Sequence, residues 1–215
     1  LGTNTLSLSN GAKVTYKTTD FKEDQILFRA VSFGGTNLLD TETYNKVRWA
    51  MRGLSEAGYS GLDKNEISKF MSDKIASLNF SLSSTSERFR GQSAPKDLEY
   101  MMQMLQAHFT DLNYNEEAFD GYKAKQKAFM GNMLASPRFY FLDKTFGFIN
   151  ENNPRWGGIL PDDQDWAKTD YKLAYEKYKE RFSNAADFHF FFVGNIDENA
   201  LRDLSEKYIA ALPSD

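Results

Sequence analysis

The chain has 215 residues, of which 41% are hydrophobic, 15% aromatic and 26% charged, and its formal net charge is −4. This composition is ordinary for a globular chain of one or two domains, long enough to fold without a metal or a disulfide. The absence of cysteine excludes thiolate chemistry, disulfides and cysteine-ligated metal sites. The mild acidity without a basic tract argues against nucleic acid, and no apolar stretch is long enough for a membrane-spanning segment.

The predicted strands come mainly in hairpins. β-prone runs cover residues 5–9, 12–18, 25–33, 75–84, 87–93 and 187–194. Asn10-Gly11, between the first two runs, predicts a hairpin with a type I′ turn, because this dipeptide readily adopts two positive φ angles. The last run, DFHFFFVG, predicts a strand that is apolar on both faces.

Helical periodicity dominates the remainder of the chain. The predicted helices cover residues 41–57, 63–74, 95–112, 116–134, 136–149, 171–182 and 201–212. Residues 150–165 are rich in turn formers and form the main predicted loop. Since strands occur in hairpins and helices in runs, the predicted fold class is α+β, an antiparallel sheet with helices packed on one face.

The residues offer little catalytic chemistry of their own. The sequence has no phosphate-binding loop of the GxxxxGK[ST] or GxGxxG type and no GxSxG motif. Its two histidines, His108 and His189, are far apart and neither has a second histidine on its own element, whereas a catalytic zinc needs three protein ligands. We therefore predict that His108 is a structural, protonated residue near a helix C-terminus and that His189 is a packed or hydrogen-bonded core residue.

The acidic residues are better explained as helix caps than as catalytic groups. Asp162, Asp163 and Asp165 lie in the main loop, and Glu116-Glu117 opens a helix. Acids at such positions usually cap helices or face solvent. A self-sufficient hydrolase with an acidic dyad stays as a minor alternative. The sequence thus assigns no catalytic or metal-binding residue.

Several stretches taken together resemble one known family. LSNGAKVTYK, QILFRAVSFGG, SERFRGQSAPKDLEYMMQMLQAHF and YKERFSNAADFHFFFVGNIDENALRDLSEKYIAALPS occur in the order found in the pitrilysin and insulinase-type zinc metallopeptidases, the inverzincins. Catalysis in that family requires an HxxEH motif on the first long helix and a further Glu on a later helix. Here Trp49, Ala50, Met51, Arg52 and Gly53 stand where HxxEH would be, and residues 121–134 contain no carboxylate.

The resemblance implies a specific architecture and role. The family is built from repeated domains of this size, which form two halves around a peptide chamber, with zinc in only one domain. This chain resembles the first domain of the second, non-catalytic half. Residues 1–215 would then be a single domain excised from a larger peptidase, with an antiparallel sheet of about five to six strands. The family's substrate-contacting Arg and Tyr are associated with a later domain, so Arg88 and Arg90 are not assigned to them.

The resulting hypothesis is a non-catalytic domain of a zinc metalloendopeptidase that forms part of the chamber wall. The expected partners are the catalytic domain or half of the same protein and a peptide substrate, with zinc in that other domain and none in this segment. The alternative is a structural or assembly subunit that shares the fold but serves no peptidase. Because bacterial relatives include exported proteins, we weakly favour the bacterial periplasm or cell envelope. The substrate-binding residues and the oligomeric state are not readable from the sequence.

Overall fold

A computed structural model describes residues 2–151 and 153–215, so the main predicted loop is described except for Asn152. The chain forms two compact units. The sheet unit comprises the residues up to 38 together with 58–113 and 179–215, and the helical unit comprises 39–57 and 114–178. No helix of the described chain is both long and apolar enough to cross a membrane.

The sheet unit is built on a six-stranded mixed sheet. Its strands are β1 (Asn4–Ser7), β2 (Lys13–Thr18), β3 (Ile26–Phe33), β4 (Ala76–Leu82), β5 (Ser86–Ser93) and β6 (His189–Gly194), in the spatial order β1-β2-β6-β3-β5-β4. The predicted α+β class and the strand number are confirmed. The sheet differs from a fully antiparallel one at a single pair, since β6 inserts beside β2 in parallel orientation. A strand this distant in sequence finds its neighbours through tertiary packing, which local patterns do not reveal.

One face of the sheet carries the core. Along β3, Ile26, Phe28 and Ala30 are buried, and they alternate with exposed residues as the period of a strand requires. The unit's helices are α2 (Lys64–Phe70), α3 (Leu98–Thr110, entered through a 3-10 turn at Pro95–Asp97) and α8 (Glu198–Leu204), which continues as a π-helical turn at Ser205–Ile209. Helix α3 packs on β4 and β5. Strand β6 carries apolar residues on both faces, as predicted, but only one face is buried, since Phe191 and Val193 are 36% and 41% exposed.

The first hairpin closes through a different turn from the predicted type I′. The Gly11 N–H donates to the Leu8 carbonyl at 3.1 Å, and Gly11 has a φ of 82° while Asn10 does not have a positive φ. This is a type I turn followed by a left-handed glycine. The Asn10 side-chain amide instead donates to the carbonyls of Ile209 and Leu212 near the chain end. That distant contact explains why the dipeptide's local preference does not decide the turn.

The helical unit contains α1 (Thr41–Val47), a 3-10 segment (Met51–Ala57), α4 (Glu116–Leu134), α5 (Pro137–Ile149), α6 (Asp163–Lys168) and most of α7 (Tyr171–Arg181). Helix α6 begins inside the predicted loop. Asp162 and Asp165 form its capping box. It was not predicted, because a helix of six residues is too short to produce a recognisable helical periodicity directly after a run of turn-forming residues.

The predicted continuous helix over 41–57 is also wrong, because α1 ends at Val47. The Lys46 carbonyl accepts a hydrogen bond from the Asp170 N–H at 3.0 Å. In an uninterrupted α-helix that carbonyl would accept from Ala50, four residues on. The Gly53 N–H then bonds to the Ala50 carbonyl, three residues back, as in a 3-10 helix. Asp170 lies 124 residues after Lys46 in the chain, so the helical periodicity of residues 41–57 does not indicate this hydrogen bond at the end of α1.

Candidate functional site

Residues 49–53, which the resemblance places at the HxxEH position, lie in the core of the helical unit. Trp49, Ala50 and Met51 are 8%, 0% and 6% exposed, and only Arg52 is exposed. Gly53 is buried against α4, where an added Cβ would lie 2.7 Å from the Tyr122 ring and 2.8 Å from the Phe119 ring. The segment therefore uses its side chains for packing rather than directing them at a solvent-filled site.

Two guanidinium groups surround Trp49. The Arg48 and Arg52 guanidinium carbons lie 5.2 Å and 5.1 Å from the Trp49 ring centroid, which is cation–π geometry. The Trp49 Nε1 is buried and has no hydrogen-bond partner among the described residues. Because both neighbours are cations, the electrostatic surroundings of this position would repel a metal ion.

A cleft of about 660 Å³ opens beside α1 in the helical unit. Across it, the Arg48 Nη2 donates to the Asp165 Oδ1 at 2.6 Å, and both side chains are mostly buried. Gly157 leaves room for this guanidinium, since an added Cβ there would lie 1.5 Å from it. The role of Arg48 is not predictable from local sequence, in which the dipeptide Gly157-Gly158 is the one signal of this close approach and by itself indicates only a turn.

A second arginine ties the main loop to the same helix. The Arg155 Nη1 donates to the Leu39 carbonyl at 2.9 Å, and its guanidinium lies 4.1 Å from the Tyr44 ring centroid. The Asn45 side-chain amide donates to the Pro154 carbonyl at 3.0 Å. These contacts fix the main loop against α1 and the residues before it, and they give the cleft a defined shape.

Four of the five acids singled out in the sequence, Asp162, Asp163, Asp165 and Glu116, have a hydrogen-bond or ion-pair partner in the structure. Asp162 caps α6 by accepting from the Asp165 N–H at 2.8 Å, and Asp163 pairs with Lys127 at 3.0 Å in solvent. Glu116 accepts a short hydrogen bond from the Tyr114 hydroxyl, which raises the pKa of Tyr114 to about 12. The structure does not bring the acids at 116–117 and 162–165 into a free carboxylate pair, which leaves the acidic-dyad alternative unsupported.

His108 is structural, but the predicted protonated form is wrong. It is 5% exposed and lies among the rings of Tyr59, Phe80 and Phe89. Burial lowers the pKa of the imidazole, and the Nδ1 lies 2.7 Å from the Met104 carbonyl, to which it donates. Apolar burial opposes charge more strongly here than the helix C-terminus favours it.

His189 is hydrogen-bonded, as predicted, but it is only partly buried. It begins β6, where its Nε2 lies 2.8 Å from the Thr15 Oγ1 and its ring stacks on Phe191 with a centroid distance of 4.2 Å. Desolvation, with a smaller effect of Lys13, lowers the pKa of the imidazole. Over residues 2–151 and 153–215, no three His, Asp or Glu side chains converge as a metal-ligand group.

Two curated proteins named as zinc proteases are similar in sequence to nearly the whole chain. It is 24% identical over 207 residues to the probable zinc protease PqqL of Haemophilus influenzae, covering 96% of this chain and 22% of that protein. It is 27% identical over 213 residues to a zinc protease PQQL-like protein of Arabidopsis thaliana, covering 99% of this chain and 20% of that one. The chain thus spans about a fifth of the length of these curated relatives. No family model matches it.

Solved structures share the fold. The periplasmic protease PqqL from Escherichia coli superposes with a TM-score of 0.80 and 20% identity over all of this chain and 23% of that one. The first half of the same protease superposes with a TM-score of 0.75 and 12% identity, with 47% of that half covered. The order of the sequence blocks, the similarity along nearly the whole chain and the shared fold agree, and they confirm that the chain resembles the pitrilysin and insulinase-type zinc proteases.

Proposed function

We propose that this chain is a non-catalytic domain of a zinc metalloendopeptidase and forms part of the wall around its peptide chamber, while another domain of the same protein holds the zinc and cleaves the peptide. The observation that carries the proposal is the packing of residues 49–53. A catalytic zinc needs three protein ligands and an open coordination position for water. Here the corresponding segment is filled by Trp49, Met51 and a glycine that leaves no room for a side chain.

The domain assignment rests on coverage. The chain aligns along nearly its full length with about a fifth of two zinc proteases, and it covers 47% of the first half of PqqL from Escherichia coli. Since the chain superposes on about half of that first half, its size supports a protein whose halves each contain two similar repeats. We assign residues 1–215 to one such repeat, the first domain of the non-catalytic half. We also propose a location in the bacterial periplasm or cell envelope, which the periplasmic protease of similar fold supports.

Metal analysis of the purified chain tests the proposal. After dialysis against buffer containing micromolar zinc and then against metal-free buffer, we expect well below one zinc per chain by elemental analysis. We also expect no cleavage of fluorogenic casein, with or without added zinc. One tightly bound zinc per chain, together with cleavage abolished by a chelator, would contradict the proposal.

The alternative of a structural or assembly subunit without a peptidase makes a different prediction about the genome. A non-catalytic peptidase domain requires an HxxEH motif elsewhere in the same reading frame or in an adjacent gene. Sequencing the flanking DNA checks this directly. If neither the reading frame nor its neighbours encode HxxEH, the assembly-subunit alternative is the better explanation.

A further inference from the structure

The face of the sheet opposite the core is open and strongly basic. Alternate residues of the strands point to this open face, and its charged members are Lys13, Lys17, Arg29, Arg88 and Arg90, all of them exposed. The ion pairs of the described residues include none of these five cations. A chain with a formal charge of −4 thus concentrates five positive charges on one surface.

No acid balances this charge within the strands. The six strands are described in full, and Glu87 is their one acidic residue. It lies on the buried face, where it is 0% exposed and accepts from the Arg181 Nε at 2.7 Å. The positive potential of the open face therefore has no counter-charge from the strands that form it.

The register places two of the arginines directly opposite each other. Arg29 on β3 pairs with Arg90 on β5. Like charges opposite each other on neighbouring strands destabilise a sheet. An uncompensated pair at the centre of an exposed face is therefore a cost to folding that binding of an anionic partner would offset.

The open face also carries an apolar strip beside the arginines. Phe191 on β6 is the cross-strand partner of Arg29, and Val193 is the partner of Leu27. These three apolar side chains, Leu27, Phe191 and Val193, are 48%, 36% and 41% exposed. An occupant therefore needs apolar as well as acidic side chains, which a polypeptide combines and a polyphosphate backbone does not.

The spacing of the cations suits an extended chain. Arg88 and Arg90 are two residues apart on β5, so their backbone positions are about 7 Å apart. Alternate side chains of an extended peptide have the same spacing. Among the strand residues, two exposed aromatic side chains lie on this face: Phe33 at the end of β3, and Phe191, which is already stacked on His189. A single-stranded nucleic acid would instead call for a series of free aromatic stacking platforms along the row of cations.

We propose that the open face of the sheet binds an extended acidic polypeptide segment, whose alternate carboxylates pair with Arg29, Arg88 and Arg90 while apolar neighbours pack on Phe191 and Val193. The inference rests on the proposed function, because it takes the segment to be part of the peptide enclosed by the chamber. It adds to that function a substrate preference and the surface that produces it.

Fluorescence anisotropy with labelled peptides tests the inference on the whole 215-residue chain. The probe is a twelve-residue fluorescein-labelled peptide with Glu at alternate positions and Val or Ser between them, and its matched control has Gln in place of every Glu. At low salt we expect saturable binding of the Glu peptide, little binding of the Gln peptide, and affinity that falls as salt rises. We expect the double variant Arg29→Gln/Arg90→Gln to bind the Glu peptide about tenfold more weakly.

A matched variant separates the open face from general charge. Arg138→Gln/Arg202→Gln removes the same two charges from exposed helix positions and should leave binding unchanged. Because Arg29→Gln/Arg90→Gln relieves like-charge contact, it should melt at or above the wild-type temperature; Arg29→Gln alone provides a second folded test with a smaller loss of affinity.

Three outcomes would overturn the inference. They are equal binding of the Glu and Gln peptides, equal loss in both double variants, and tighter binding of a labelled oligothymidine than of the Glu peptide. The zinc and cleavage assays are read separately. If the chain binds the Glu peptide selectively but also holds zinc and cleaves casein, the peptide-binding surface is supported while the proposed non-catalytic role is contradicted.

Discussion

The carboxylate of Glu87 is fully buried, and two hydrogen-bond donors stabilise its negative charge. The Arg181 Nε lies 2.7 Å away and the Gly35 N–H 3.0 Å away from the same oxygen, Oε1. Arg181→Leu would leave this charge without its cation, and we expect the free energy of unfolding in urea to fall by about 3–5 kcal/mol. The double variant Glu87→Gln/Arg181→Leu should recover part of that loss, because no buried charge remains. Equal instability of the single and double variants would contradict this account.

His108 should make stability depend on pH. Burial depresses the pKa of its imidazole in the folded chain, so below the unfolded pKa of about 6.5 the unfolded state binds a proton that the folded state resists. The stabilising effect is thus full above about pH 6.5 and declines as the pH falls toward the folded pKa. His108→Phe removes the titration while keeping a ring among Tyr59, Phe80 and Phe89. We expect a smaller drop in melting temperature between pH 7 and pH 5 than in the wild type, measured by circular dichroism; an unchanged drop would assign the pH effect to other groups.

At the scale of elements, two glycines of the helical unit differ in what surrounds them. Gly53 faces the rings of Phe119 and Tyr122 on α4, whereas Gly131, within α4, has no atom within 4 Å of an added Cβ. Gly53→Ala should lower the free energy of unfolding by about 1–3 kcal/mol through overpacking. Gly131→Ala should raise it by about 0.5–1 kcal/mol, since alanine is the better helix former. Urea denaturation of both variants checks the contrast, and similar effects in the two would show that packing at Gly53 is not limiting.

At the scale of the whole molecule, introducing an HxxEH motif at residues 49–53 should not create a metal site. The HxxEH motif is created by three substitutions, Trp49→His, Arg52→Glu and Gly53→His. The two histidine side chains, at positions 49 and 53, would enter a packed core. We expect the triple variant to be strongly destabilised and to bind no zinc in competition with a chromogenic chelator, while the exposed Arg52→Glu alone is tolerated. A folded triple variant with one zinc per chain would contradict the packing argument.

Local signals account for most of the fold. The helices predicted to begin at residues 63 and 136, and the strands predicted over 75–84 and 87–93, each depend on a few neighbouring residues. The structure has them as α2, α5, β4 and β5. The errors occur where a distant group replaces a local partner. Asp170 takes the Lys46 carbonyl at the end of α1, and Asn10 turns its side chain toward the chain end instead of adopting a positive φ.

The amino-acid sequence was sufficient for the fold class and the family resemblance, because each depends on residue identity and order along the chain. Tertiary structure alone decided the strand order with its parallel pair, the burial of Trp49 and Gly53, the pairing of Arg48 with Asp165 and the alignment of Arg29 opposite Arg90. Each of these features depends on contacts between residues far apart in sequence. Packing and electrostatic interactions between such residues stabilise them, and the periodicity of a short segment does not reveal these interactions.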